Sequence, residues 1–90
     1  MKITHYGFNY THIGDYNKPR AWVPVSYKDD KPVLYEKNLN GLILKTETLQ
    51  SRLDRLALDY GVCRIWIKYA DDSTKCVYYY QQANKQVDKV

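Results

Sequence analysis

The side chains that could do acid–base or metal chemistry are few and scattered. His5 and His12 stand seven positions apart with no cysteine or carboxylate at metal-ligand spacing beside them, so neither a metal site nor a bound cofactor is expected. Asp29-Asp30 and Asp71-Asp72 are adjacent carboxylates, but both pairs fall in turn-forming stretches with lysines nearby. Acid–base catalysis needs a pocket that drives two pKa values apart, and a solvated hairpin tip makes none. His12 and Asp15 form the one candidate dyad, on a single loop, without a recognisable nucleophile or anion hole. There is no CxxC, no GxSxG and no glycine-rich phosphate loop. The residues therefore predict no catalytic set, and a protein that is not an enzyme.

Cys63 and Cys76 lie thirteen apart in a stretch that reads as a β-hairpin, "CRIWIKYADDSTKCVYYYQ". With Ala70 opposite Lys75, each thiol falls about six residues along the strand from the other. At roughly 3.3 Å per residue that is beyond the reach of a disulfide. Both are expected to be buried, free thiols packing as small hydrophobes.

The same hairpin carries the residues most suited to recognition. Pairing Trp66 with Tyr79 and Lys68 with Val77 puts Cys63, Ile65, Ile67, Tyr69, Cys76, Tyr78 and Tyr80 on one face. The other face receives Arg64, Trp66, Lys68, Lys75, Val77, Tyr79 and Gln81. The first is the better core candidate. The second gathers aromatic rings and cations, the side chains that anchor macromolecular interfaces and that can also stack nucleobases and neutralise phosphates. A plain structural reading competes: Trp66 packs against the first strand or the loop from Thr11 to Pro19, and the Trp–Tyr pair with its cations stabilises the sheet.

The elements that must position this face follow from residue periodicity. Lys2 to Tyr10 alternates, with Thr4, Tyr6, Phe8 and Tyr10 as the apolar set, which predicts a first strand. A strand over Ala21 to Tyr27 and another over Pro32 to Leu39 flank a turn at Asp29-Asp30. Pro24 cannot donate a ladder hydrogen bond and places its strand at a sheet edge or bulge. Asn40-Gly41 predicts a two-residue turn with positive φ at both positions, returning Leu42 to Lys45 along the preceding strand.

From Glu47 to Tyr60 the period becomes helical, with Leu49, Leu53, Leu56, Ala57 and Tyr60 on one face and Leu58 off it. Thr46 is the expected N-cap, Glu47 the dipole complement and Gly61 the left-handed stop. After the hairpin, residues 82–90 lose the apolar pattern and read as a polar, frayed tail.

Composition sets the outer limits. Ninety residues with 44% hydrophobic and 27% charged side chains suit one small globular domain, here expected over residues 1–81. Ten tyrosines against one phenylalanine supply rings that keep a polar end at water or at a partner. The net charge of +4 permits phosphate or acidic protein partners without requiring either. No apolar run approaches the roughly 20 residues of a membrane span, and no leader pattern opens the chain, so a cytoplasmic protein with no membrane contact is expected.

The fold predicted is α+β: a single small domain with an antiparallel sheet of about five to six strands packed on one helix, in the order β-β-β-β-α-β-β. Its expected function is to dock a tyrosine- and tryptophan-rich basic sheet face onto another protein, masking or bridging it. Trp66, Tyr79, Arg64, Lys68 and Lys75 are the expected contacts, with Trp22 and Tyr27 on the edge strand as a second surface. Single-stranded RNA or DNA is the alternative partner for that face, and homodimerisation through the edge strand Ala21 to Tyr27 a third possibility. In general character, though in no particular motif, the chain is like small accessory proteins of phages and mobile elements that inhibit host proteins.

Overall fold

In a computed structural model the chain is described over residues 1–11, 17–83 and 86–90. Among these described residues it is an α+β fold of seven strands in two antiparallel sheets with one helix. The elements are β1 Ile3–Tyr10, β2 Trp22–Pro24, β3 Ser26–Lys28, β4 Lys31–Lys37, β5 Ile43–Thr48, α1 Leu49–Ala57, β6 Val62–Tyr69 and β7 Thr74–Tyr79. One sheet runs β2-β1-β6-β7 and the other β3-β4-β5. The strand expected over 21–27 is thus two short strands in different sheets. Pro24 ends the first of them, opposite His5, and the Val25 amide turns inward to donate to the Thr4 carbonyl at 2.9 Å. A proline at an edge ends the ladder, and the chain uses that break to change sheets.

The core lies where α1 meets the inner faces of both sheets. Leu49 and Leu53, each 0% exposed, pack with Tyr6, Leu34, Ile65, Ile67, Val77 and Tyr78. On β1 the expected alternation holds for Tyr6, Phe8 and Tyr10, but a register shift between Ile3 and His5 takes Thr4 out of the ladder and puts Ile3 in the core instead.

Both long hairpins turn by three residues. The Asn38 amide donates to the Leu42 carbonyl across Leu39-Asn40-Gly41, and only Gly41, at φ 80°, is left-handed there. The Tyr69 amide donates to the Ser73 carbonyl across Ala70-Asp71-Asp72, with Asp72 at φ 67°. A type I turn closed by a left-handed residue is the three-residue hairpin solution, in place of the two-residue turn expected at Asn40-Gly41 and of the connection that would set Ala70 opposite Lys75. At Asp29-Asp30 the two-residue form does occur, with φ of 51° and 63°.

The helix is shorter than its apolar period. Strand β5 continues to Thr48, so Thr48 and not Thr46 is the N-cap, accepting from the Ser51 amide at 3.1 Å. The helix ends at Ala57 with a right-handed cap at Leu58, and Gly61 plays no left-handed part; its amide donates to Asp59 Oδ1 at 2.8 Å. Tyr60, expected on the buried face, falls beyond the last turn and is fully exposed, as is most of Leu58. Residues 86–90, expected to fray, lie against the domain. The Asp88 amide donates to the Val77 carbonyl at 2.9 Å, that of Val90 to Gln50 Oε1 at 2.8 Å, and both Val87 and Val90 pack on the core.

Because β5 runs on, Glu47 sits at its end and not in the first helical turn. It receives Arg52 Nε and Arg55 Nη2 at 2.8 Å each, and Arg52 reaches on to the Tyr6 hydroxyl at 3.1 Å. Hydrogen bonds from Arg55 above all, then from Arg52 and Ser51, hold the Glu47 carboxyl at about 2, against an ordinary 4.5, and prevail over the opposing effect of burial. A carboxylate whose pKa is depressed by folding stabilises the fold above its unfolded value and loses that contribution as pH falls through the folded one. Glu47→Gln is therefore expected to cost about 1–2 kcal/mol at neutral pH, allowing for the solvent around Arg55. The difference from the parent should shrink between pH 4.5 and 2 in urea melts; a constant difference across that range would refute the role of the ion pair.

Candidate interaction surface

The face of the four-stranded sheet turned away from α1 is built from three cross-strand rows. Trp22, Gly7, Trp66 and Cys76 form one; Pro24, His5, Lys68 and Thr74 the next; Asn9, Arg64 and Tyr79 the third. On β1 the alternation sends Tyr6 and Phe8 to the core and leaves His5, Gly7 and Asn9 on this side, so its rings come from Trp22, Trp66 and Tyr79 of the neighbouring strands.

Of the residues expected to make the contact surface, the structure brings together Arg64 with Tyr79 and Lys68 with Trp22. The Arg64 guanidinium lies 4.5 Å from the Tyr79 ring centre, and Lys68 Nζ lies 4.5 Å from that of Trp22. All four are half-buried. Such stacks fix long, flexible cations in one place at little further entropic cost when a partner arrives.

Three expected contacts are placed otherwise. Trp66, predicted to present its ring outward, is only 6% exposed. Beside it in register is Gly7, where a Cβ would come within 2.6 Å of Pro19 Cβ and 2.8 Å of the Ala21 carbonyl. The absence of a side chain lets the segment 17–21 lie directly on the sheet. Asn9, 2% exposed, holds that segment by donating to the Lys18 carbonyl at 3.3 Å while accepting from the Arg64 amide at 3.2 Å. Trp66 is thus the support beneath the surface.

Lys75 pairs with Ile67, on the opposite side of the sheet. The three-residue turn sets Trp66 opposite Cys76 instead of Tyr79, and a bulge then pairs Arg64 with Tyr79 and Ile65 with Tyr78, which returns Tyr79 to the outer face in a different register from the one expected. Val77, expected outside opposite Lys68, is the bulged residue and enters the core with Tyr78. A bulge places two neighbouring side chains on one face, which simple alternation cannot anticipate. Cys76 is correspondingly exposed, and only Cys63 is the buried thiol expected; both are free. Tyr27, in the other sheet, is occupied internally: its hydroxyl accepts from the Ile3 amide at 2.9 Å and donates to the Ile3 carbonyl at 3.0 Å.

Around Arg64 the surface dips into a recess of about 280 Å³ lined by Thr11, Cys63, Arg64, Tyr79, Tyr80 and Gln81. Tyr79 donates to Gln81 Oε1 at 2.9 Å, and Gln81 Nε2 donates to the Tyr80 hydroxyl at 2.8 Å, fixing the rim. Arg64 Nε is buried and has no hydrogen-bond partner among the described residues. A buried guanidinium donor without an acceptor is costly, and a carboxylate is the strongest partner for the part of a guanidinium that a ligand can reach. Burial pushes the Cys63 thiol above its ordinary value.

Sequence periodicity also passes over an apolar surface. Leu39 is fully exposed, and Leu42, Ile43 and Leu44 are each at least half exposed, at the β4–β5 hairpin. Its signal is present in "GLIL", three apolar residues in succession where a half-buried strand would alternate. His12 and Asp15 lie outside the described residues. Among the described residues no three His, Cys, Asp or Glu side chains gather as a metal site, and no helix is long and apolar enough to cross a membrane.

Comparison of the chain with protein-family models, with curated proteins and with solved structures gives no match.

Proposed function

We propose that the protein is a non-enzymatic binding module that docks the outer face of its four-stranded sheet onto an acidic patch of another protein, acting by masking or bridging it. The observation that carries this reading is Arg64: stacked on Tyr79, opening on a recess, with a buried Nε that lacks an acceptor. Lys68 on Trp22 extends the cationic, aromatic surface along the next rows. A protein carboxylate suits this surface better than a nucleobase, because the Tyr79 and Trp22 rings already carry a cation on one face while the guanidinium edge is free to donate.

The test is affinity capture from cell extract on immobilised protein, followed by titration of the captured protein against variants. Arg64→Ala and Tyr79→Ala are each expected to weaken binding by about 2 kcal/mol or more, roughly thirtyfold, as central interface anchors do. Lys75→Ala, on the other side of the sheet, should leave affinity unchanged. Retained affinity in both anchor variants, with cooperative melts preserved, would remove this face from the account. Titration with short single-stranded RNA and DNA at two salt concentrations completes the experiment: binding that weakens steeply with salt would replace the protein partner by a nucleic acid.

A further inference from the structure

We propose that the end of the β4–β5 hairpin is a membrane-surface contact, which enters the interface of a bilayer bearing anionic phospholipids. This goes beyond the outer-face reading and uses the other sheet. It departs from the expected lack of membrane contact, which rested on spanning and leader segments; a contact at the interface needs neither.

The hairpin end is uncharged from residue 38 to residue 44, "NLNGLIL". Leu39 stands fully exposed in the turn, and Leu42, Ile43 and Leu44 on the returning arm are each at least half exposed. The apolar side chains are thus spread over both arms and the end of the hairpin. A projecting end of this kind suits a fluid medium that closes around it, whereas a protein partner would have to supply a matching pocket. The backbone of the turn is also closed on itself. The Asn40 and Leu42 amides both donate to Asn38 Oδ1 at 2.9 Å, the Gly41 amide to the Asn38 carbonyl at 3.0 Å, and the Asn38 amide to the Leu42 carbonyl at 3.0 Å. Those four amides are bonded within the hairpin, as an apolar medium requires of backbone that enters it.

Charge selects the kind of membrane. The first charged residues on either side of the apolar end are Lys37 and Lys45, both exposed. Behind them Glu36 and Glu47 line one recess with Lys45, Arg52 and Arg55. With Lys37, that collar holds four cations against two carboxylates. Lysines so placed lay their stems along the apolar end and hold their ammonium groups at the level of lipid phosphates. An apolar end with a net cationic collar is complementary to a bilayer surface, the leucines to the acyl boundary and the collar to anionic headgroups.

The test is co-sedimentation of the full chain with vesicles of equimolar phosphatidylcholine and phosphatidylserine, and with vesicles of phosphatidylcholine alone. The parent is expected to bind the mixed vesicles, less so as salt rises, and to bind the neutral ones weakly. Leu39→Ser should lower the partition coefficient about tenfold. Lys37→Glu should lower it by a similar factor for the mixed vesicles and leave the neutral ones unchanged, with thermal melts confirming that each variant folds. A parent that stays in the supernatant with mixed vesicles would overturn the inference. So would binding that Leu39→Ser leaves intact, or binding lost in Arg64→Ala and not in Leu39→Ser, which would put the lipid contact on the outer face of the other sheet. Self-association of the parent without vesicles, relieved by Leu39→Ser, would put a second copy on the hairpin end and overturn it as well.

Discussion

Alanine at position 53 is expected to lower the unfolding free energy by about 2–5 kcal/mol, the range for emptying a leucine site in a core that relaxes only in part. Leu53 is 0% exposed and belongs to the cluster in which α1 meets Leu34 of one sheet and Ile65 and Ile67 of the other. A domain of this length has roughly 5–13 kcal/mol in all, so the variant should approach the limit of folding. Urea unfolding measures it: the midpoint falls while the slope stays constant. A loss under about 1 kcal/mol would mean that the helix does not clamp the two sheets together.

Gly7→Ala is the second large effect, and its sign is set by space. In an open strand, alanine would be favoured over glycine by roughly 0.5–1 kcal/mol. Here the new Cβ meets Pro19 Cβ at 2.6 Å and the Ala21 carbonyl at 2.8 Å, and the second is backbone that cannot rotate away. The expected outcome is a loss of about 1–3 kcal/mol, as for other overpacked sites, with the segment 17–21 lifted from the sheet. The chain has two tryptophans, so in a Trp22→Phe background Trp66 is the sole one, and its emission should shift to the red and become accessible to acrylamide. Unchanged emission and stability would show that the segment does not cover Trp66.

Much of the fold was legible because it rests on local rules. The strand alternation of β1, the turn at Asp29-Asp30, the edge position forced by Pro24 and the leucine stripe of α1 each follow from residue types a few positions apart. The boundaries were less legible where two local rules competed. Thr46 and Thr48 are both competent caps, and the cross-strand pairing of β5 with β4 as far as Val33 opposite Thr48 decided between them. Glu47 belongs in consequence to a strand end and not to a helical turn, and spacing alone did not reveal its two arginine partners.

The candidate surface divides in the same way. That Arg64, Lys68 and Tyr79 lie on a face away from the core could be read from alternation; that Trp22, expected on a second surface, joins them could not. That Lys75 leaves this face, Val77 enters the core and Trp66 is covered could not. One three-residue turn and one bulge change the register of the hairpin, and a slip of one residue moves every later side chain to the opposite face.

By itself, then, the sequence determined the class of fold, the helix and its buried stripe, and the enrichment of rings and cations on one hairpin, all of which depend on short-range spacing. Tertiary structure decided that the strands divide into two sheets at Val25, that Pro19 and Ala21 lie over Gly7, and that β5 ends the three-stranded sheet. Those features arise from pairings between residues far apart in the chain, whose energies depend on which partner each strand meets and not on the residues of the strand alone.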